Sequence, residues 1–164
     1  MDDRTVVARQ LGREPRAFRR VAVRCPFGMA AVTEQEPYDE AGSPFPTTYY
    51  LTCPQLVAAV SRLEAAGGVE RWSQAAVADP ELASSRERAN AEQRVLRRRL
   101  AAGGEGSDAG ASLELGVGGA ARHGSLKCLH AHVAYALARP GYELGERILD
   151  ELRPLWPPDR CCTE

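Results

Sequence analysis

The sequence has few aromatic residues, a single lysine and no excess of charge of either sign. Aromatic side chains make up 6% of the 164 residues, so the core has to be built mainly from Leu, Val and Ala. With 21 basic and 22 acidic residues, the formal net charge is -1. That balance provides no global field to attract nucleic acid or an anionic membrane. Binding to nucleic acid or to a membrane is therefore not expected.

Long apolar segments and specific cysteine pairs are also lacking. No stretch approaches the roughly 18 apolar residues of a membrane-spanning helix, and residues 1–4 do not resemble a signal peptide. A cytoplasmic protein is therefore expected, and cysteines are kept reduced in that compartment. The five cysteines include no Cys-x-x-Cys pair, which is the most specific sequence signature of a zinc site.

Hydrophobic periodicity predicts an α+β fold, with a small antiparallel three-stranded sheet packed against four to five helices. Strands are predicted over residues 18–24, 30–35 and 47–52. Helices are predicted over residues 5–11, 54–66, 69–78, 80–102, 125–138 and 142–152. Residues 1–153 are expected to form one domain with a flexible Gly-rich connection at 103–110, and residues 154–164 a loose tail.

Three cysteines fall at the boundaries of predicted elements, where side chains can point towards a common centre. Cys25 lies in a hairpin turn, Cys53 ends the third strand, and Cys128 lies near the start of a helix. Zinc is bound tetrahedrally by thiolate and imidazole groups, so three cysteines and one histidine predict a zinc site. The candidate ligands are Cys25, Cys53, Cys128, His130 and His132. The alternative is that the cysteines serve as small buried apolar residues.

Helix geometry bears on the choice of histidine. At about 100° per residue, a regular helix over residues 125–138 would turn His130 towards its apolar face. Cys128 and His132 are four residues apart, so they would share the opposite side. The rotation of the helix therefore favours His132 as the ligand. Two interpretations of His130 remain open: a core histidine, or a ligand or catalytic group.

Basic residues flank the start of the same predicted helix. Arg122 and Lys127, together with the exposed N–H groups of a helix start, predict an anion-binding position. Cys128 in such a position can also act as a nucleophile assisted by a neighbouring histidine. This arrangement supports an alternative function as a thiol- or metal-dependent hydrolase that acts on a phosphorylated small molecule.

Several short segments occur in a distinctive order. They are Arg24-Cys25-Pro26, Pro44-Phe45-Pro46-Thr47, Tyr49-Tyr50-Leu51-Thr52-Cys53-Pro54, Leu63-Glu64 and Lys127-Cys128-Leu129-His130. In these segments the chain resembles the bacterial domain-of-unknown-function family 501, over roughly residues 12–152. The resemblance implies that Lys127, Cys128 and His130 form one motif, and so it favours His130 over His132. It also implies that the position of Cys53 can be His in other members.

The resemblance implies little about activity. The genes of such proteins often lie beside those for enolase, a septal division protein and an exopolyphosphatase, which suggests work linked to cell division or polyphosphate. The chain departs from the pattern at Asn90, where a His is usual, and at residues 141–144, where Gly-x-Asn-Pro is usual.

The sequence thus supports three hypotheses. The first is a zinc-stabilised binding or adaptor domain with a Cys3His site, and the second is the hydrolase described above. The third is a metal-free module that binds a protein partner.

Overall fold

The computed structural model describes residues 1–120 and 124–161. The strands are β1 (Phe18–Arg24), β2 (Ala30–Gln35) and β3 (Tyr49–Leu51). The helices are α1 (Asp3–Leu11), α2 (Pro54–Ala65), α3 (Gly68–Ala78), α4 (Pro80–Ala101), α5 (His130–Ala138) and α6 (Glu143–Leu152). Short 3-10 turns at Gly106–Asp108, Ala111–Glu114 and Val117–Gly119 connect α4 to the segment before α5.

The three strands form an antiparallel sheet in the order β1-β2-β3. All six residues of β2 are buried: this central strand has a neighbour on each edge, and α1 and α5 also contact it. Its buried carboxylate, Glu34, is paired with Arg19 and Arg20 of β1 at 3.0 and 2.8 Å. The predicted α+β class and the three-stranded antiparallel sheet are therefore confirmed.

Helix α5 lies at the centre of the molecule, between β3 and α6. Its six consecutive residues 131–136 are all buried. A helix buried on nearly every side has no single apolar stripe, so its sequence pattern does not reveal which neighbour each side chain meets. This placement matters for the site, because α5 carries both candidate histidines.

The start of α5 is the main difference from the predicted elements. The helix begins at His130, five residues after the predicted start at Ser125. Lys127 has a left-handed φ of 65°, so a right-handed helix cannot pass through it, and backbone groups of the preceding residues bond to other helices. Arg86 of α4 donates to the carbonyl of Gly124 at 2.8 Å, and the N–H of Leu126 donates to the Ser73 hydroxyl of α3 at 3.1 Å.

The predicted connection and tail make contacts of their own. Within residues 103–110, the Asp108 carboxylate accepts a hydrogen bond from the Tyr38 hydroxyl at 2.7 Å. At the beginning of the predicted tail, Leu155 is buried in the core cluster. The division of the chain at residue 153 stays a prediction. Over residues 1–120 and 124–161, no helix combines the length and hydrophobicity needed to cross a membrane.

Candidate functional site

Cys128 is presented by a tight turn in front of α5. Its N–H donates to the carbonyl of Leu126 at 2.9 Å, and Lys127 between them has a φ of 65°. This left-handed conformation is uncommon for a residue with a side chain. The turn also removes Cys128 from the helix, so the predicted helical pairing of Cys128 with His132 does not apply.

His130 is the first residue of α5, and both of its ring nitrogens have a partner on α2. Nδ1 lies 3.2 Å from Oε1 of Glu64, and Nε2 lies 3.3 Å from the Ser61 hydroxyl. The side chain keeps 28% of its surface exposed. The imidazole is therefore held in a defined orientation while it remains accessible.

Glu64 joins α2 to the start of α5. Its Oε2 accepts a hydrogen bond of 2.6 Å from the N–H of Leu129, the residue just before the helix. A carboxylate is favourable at this position because the N-terminal end of a helix carries partial positive charge. The bond leaves Oε1 facing His130, so one carboxylate serves both the helix end and the candidate site.

Three potential ligands therefore converge. One ligand atom each from Glu64, Cys128 and His130 lies within 4.8 Å of the others, and each side chain is half-buried. Zinc accepts ligands of all three types, and tetrahedral coordination places ligand atoms about 3.5 Å apart. The separation of 3.2 Å between Nδ1 and Oε1 is already close to such an edge. The three groups could therefore hold a metal ion.

His132 has different surroundings. It is 1% exposed, its Nδ1 lies 2.7 Å from the Tyr142 hydroxyl, and its Nε2 lies 3.3 Å from the carbonyl of Leu126. A carbonyl only accepts, so Nε2 carries the proton and the Tyr142 hydroxyl donates to Nδ1. Burial, together with the nearby charge of Arg86, lowers the pKa of His132 to about 4. His132 is thus a neutral core residue.

The other predicted site residues lie outside the three-residue group. Cys25 is buried in the turn after β1, and Cys53 is buried immediately before α2. Lys127 directs its ammonium to the carbonyl of Gly119 at 3.0 Å. Arg122 lies outside the described residues.

Sequence reasoning missed two members of the site, Glu64 and Ser61. Glu64 lies in the Leu63-Glu64 segment of the family resemblance, which was the available signal. Ser61 precedes Glu64 by three residues on α2, so the two share a helix face. A carboxylate and a hydroxyl at this spacing are common on exposed helix surfaces, and the pattern alone did not distinguish them.

A cavity of about 600 Å³ opens beside this group, and Cys128 and His130 both form part of its wall. The volume is within the range of small-molecule sites, which is roughly 300–1,000 Å³. The remaining wall comes from α1, β3 and α2 together with the start of α5. The candidate ligands thus lie where a small molecule would have access to them.

The fold and the site together define a small α+β protein with a candidate metal centre at the edge of a cavity. A family model described as "Protein of unknown function (DUF501)" matches residues 21–150. This match covers most of the chain, and the chain belongs to that family. No curated protein and no solved structure matches it significantly.

Proposed function

We propose that this protein binds a divalent transition-metal ion, with zinc as the preferred ion, through Glu64, Cys128 and His130. The observation that carries the proposal is the convergence of three ligand atoms from α2, the turn at Cys128 and the start of α5 within 4.8 Å of one another. Mixed sulfur, nitrogen and oxygen donors suit zinc better than a hard cation such as magnesium or calcium.

The surroundings of two ligands are compatible with metal binding as well as with a hydrogen bond between His130 and Glu64. In the tautomer whose Nε2–H donates to the Ser61 hydroxyl, the lone pair of His130 is on Nδ1 and faces Oε1 of Glu64, where a cation would bind; in the other tautomer Nδ1–H donates to Oε1. The Leu129 N–H holds the second carboxylate oxygen in place. Metal-binding histidines and carboxylates are commonly oriented in this way by outer hydrogen bonds.

The number of ligands bears on what a bound cation would do. Structural zinc sites usually have four protein ligands, whereas sites that act on a small molecule have three and keep one position open. Here three ligands meet, and two of them line the cavity. We therefore propose a metal centre that contacts a small molecule, in place of the Cys3His scaffold expected from the sequence.

The direct test measures zinc binding to the full chain by isothermal titration calorimetry and by native mass spectrometry. Binding of one zinc ion is expected, and Glu64→Gln or Cys128→Ser should lower the affinity by more than about 100-fold, since each removes a ligand rather than an outer partner worth about 10–100-fold. Cys25→Ser is the matched control, because it removes a cysteine outside the group.

Cobalt substitution adds an independent readout. The sulfur-to-cobalt charge-transfer absorption should correspond to one thiolate and should disappear in Cys128→Ser. An intensity that corresponds to three thiolates, or a loss of zinc binding in Cys25→Ser, would support the Cys3His site and contradict this proposal. Absence of zinc binding to the wild-type chain would contradict both forms of the site.

A second candidate function is metal-free hydrolysis. The Ser61 hydroxyl, the His130 ring and the Glu64 carboxylate form a chain with steps of 3.3 and 3.2 Å, which is the order of nucleophile, base and orienting acid. Ester hydrolysis by chelator-treated protein should then fall at least tenfold in Ser61→Ala. Equal rates in Ser61→Ala and the wild type would reject this candidate.

A further inference from the structure

The wall of the cavity beside Cys128 and His130 is mainly apolar. Aromatic and aliphatic side chains form most of it, among them Leu11, Tyr49, Leu51, Val57 and Ala58. Burial of an apolar group against such a surface is favourable in proportion to the area removed from water. The cavity therefore favours a molecule with an apolar body.

The lack of charged side chains in the cavity wall also restricts which molecules can bind there. Among the described residues that line the cavity there is no Lys, Arg, Asp or Glu. The nearby Lys127 ammonium is bonded to the Gly119 carbonyl and is not part of the wall. A phosphate group held within this wall would lack a counter-charge, and burial of an unpaired charge is strongly unfavourable. The body of the occupant is therefore uncharged.

Two polar atoms on lining residues have no hydrogen-bond partner. They are the hydroxyl of Thr52, a residue that is 1% exposed, and Oε1 of Gln10. The amide nitrogen of Gln10 is already used, since it donates to the Ala30 carbonyl at 2.8 Å. Buried polar groups are nearly always paired in folded proteins. Both atoms are almost inaccessible, so they lie behind the cavity surface, and the polar contacts open to an occupant are those at Cys128 and His130.

We propose that the cavity binds a small acyl compound, with an uncharged aliphatic body and one carbonyl or carboxyl head. The body lies against the apolar wall from α1, β3 and α2, and the head lies at Cys128 and His130. Contact between the head and a cation rests on the metal site proposed above, whereas burial of the body depends on the wall alone. The two parts can be tested separately.

The test uses alkyl hydroxamates as probes, because their head resembles a carboxyl group and binds zinc. Acetohydroxamate, butanohydroxamate and octanohydroxamate are titrated into the zinc-loaded full chain and into the chelator-treated full chain by calorimetry. Each buried methylene should increase affinity by roughly threefold to fourfold. Octanohydroxamate should therefore bind at least about 100-fold more tightly than acetohydroxamate. Zinc should strengthen the binding of every probe.

Ala58→Trp is designed to fill the cavity. Ala58 is an exposed residue of α2, so a larger side chain there is compatible with folding. In this variant the ratio of octanohydroxamate affinity to acetohydroxamate affinity should fall at least tenfold. The affinity for zinc should stay within about threefold of the wild-type value. Ala78→Trp is the matched control, because Ala78 is an exposed helix residue outside the cavity wall. Circular dichroism confirms that both variants are folded.

The outcomes separate the two proposals. If affinity is independent of chain length with and without zinc, or if Ala58→Trp leaves the dependence unchanged, the acyl site is wrong. If octyl phosphate binds as tightly as octanohydroxamate, the assigned head group is wrong. If zinc does not bind but the dependence on chain length persists in the metal-free protein, the metal site fails and the apolar cavity site stands.

Discussion

His130 and His132 are two residues apart on α5, yet their surroundings are opposite. His130 is partly exposed, contacts Glu64 and Ser61 of α2, and lines a cavity. His132 is enclosed and bonded to Tyr142 and to the Leu126 carbonyl. One ring is therefore available to a ligand, and the other is used to pair buried polar groups. The comparison shows that neighbouring elements, more than position along the helix, assign a role to each histidine.

Replacement of each histidine by glutamine tests this difference between the two rings directly. His130→Gln should lower zinc affinity by more than about 100-fold, since it removes a ligand and not merely an outer partner. The same change should lower the free energy of unfolding by about 1 kcal/mol or less, because the side chain is partly exposed and its partners on α2 are not fully buried. Calorimetry and urea denaturation measure the two quantities.

His132→Gln should show the reverse pattern. It should leave zinc affinity within about threefold and lower the free energy of unfolding by about 2 kcal/mol, because buried hydrogen bonds are disturbed. Equal losses of zinc affinity in the two variants would contradict the separate roles assigned to the two rings.

The pH dependence of stability tests the buried ring. The pKa of His132 is lowered to about 4, mainly by burial, from 6.5. As the pH falls below 6.5, the unfolded chain takes up a proton that the folded chain does not bind until about pH 4. The free energy of unfolding should therefore decrease by about 2 kcal/mol between pH 7 and pH 4.5 through this residue.

Urea denaturation with chelator present, in the wild type and in His132→Gln, isolates this contribution from that of the carboxylates. The wild type should lose more stability on acidification than the variant does. Parallel curves for the two proteins would show that His132 does not remain neutral in the folded state.

Ser61→Ala tests the orientation of the accessible ring. The loss of the hydroxyl that contacts Nε2 should weaken zinc binding by about tenfold, which is the lower end of the effect of outer hydrogen bonds. Stability should change little, because Ser61 is exposed. Ser84→Ala is the control, since Ser84 is also an exposed helix serine and accepts a bond from Arg88 at 2.9 Å. An unchanged zinc affinity in Ser61→Ala would remove Ser61 from the site.

Tyr142→Phe, next to the buried ring of His132, is expected to have the smallest effect. It deletes the hydroxyl that lies 2.7 Å from Nδ1 of His132 and leaves that nitrogen without its donor. The free energy of unfolding should fall by about 1 kcal/mol, with zinc affinity unchanged. Thermal and urea denaturation report the first quantity and calorimetry the second. A loss of zinc affinity would indicate that the two histidines are coupled.

The strands and the site differ in how far the sequence predicted them. Strands β1 and β2 match the predicted residues, because alternation and the Cys25–Gly28 turn are local signals. The start of α5 was predicted wrongly, because Lys127 has a left-handed φ of 65°, which a right-handed helix does not contain. The predicted placement of Cys128 and His132 on one face of the helix depended on that predicted start. The motif that contains Cys128 and His130 does not depend on helix geometry, and both residues belong to the group that could hold a metal ion.

By itself, the sequence determined the α+β class, the hairpin and the presence of thiol and imidazole groups near residue 130. These features depend on short-range periodicity and on residue type, both of which can be read locally. Only the tertiary structure decided which groups meet. Glu64 reaches the start of α5 from 65 residues earlier in the chain, and the turn at Lys127 places Cys128 outside the helix. The packing of α2 against α5 therefore created the candidate site.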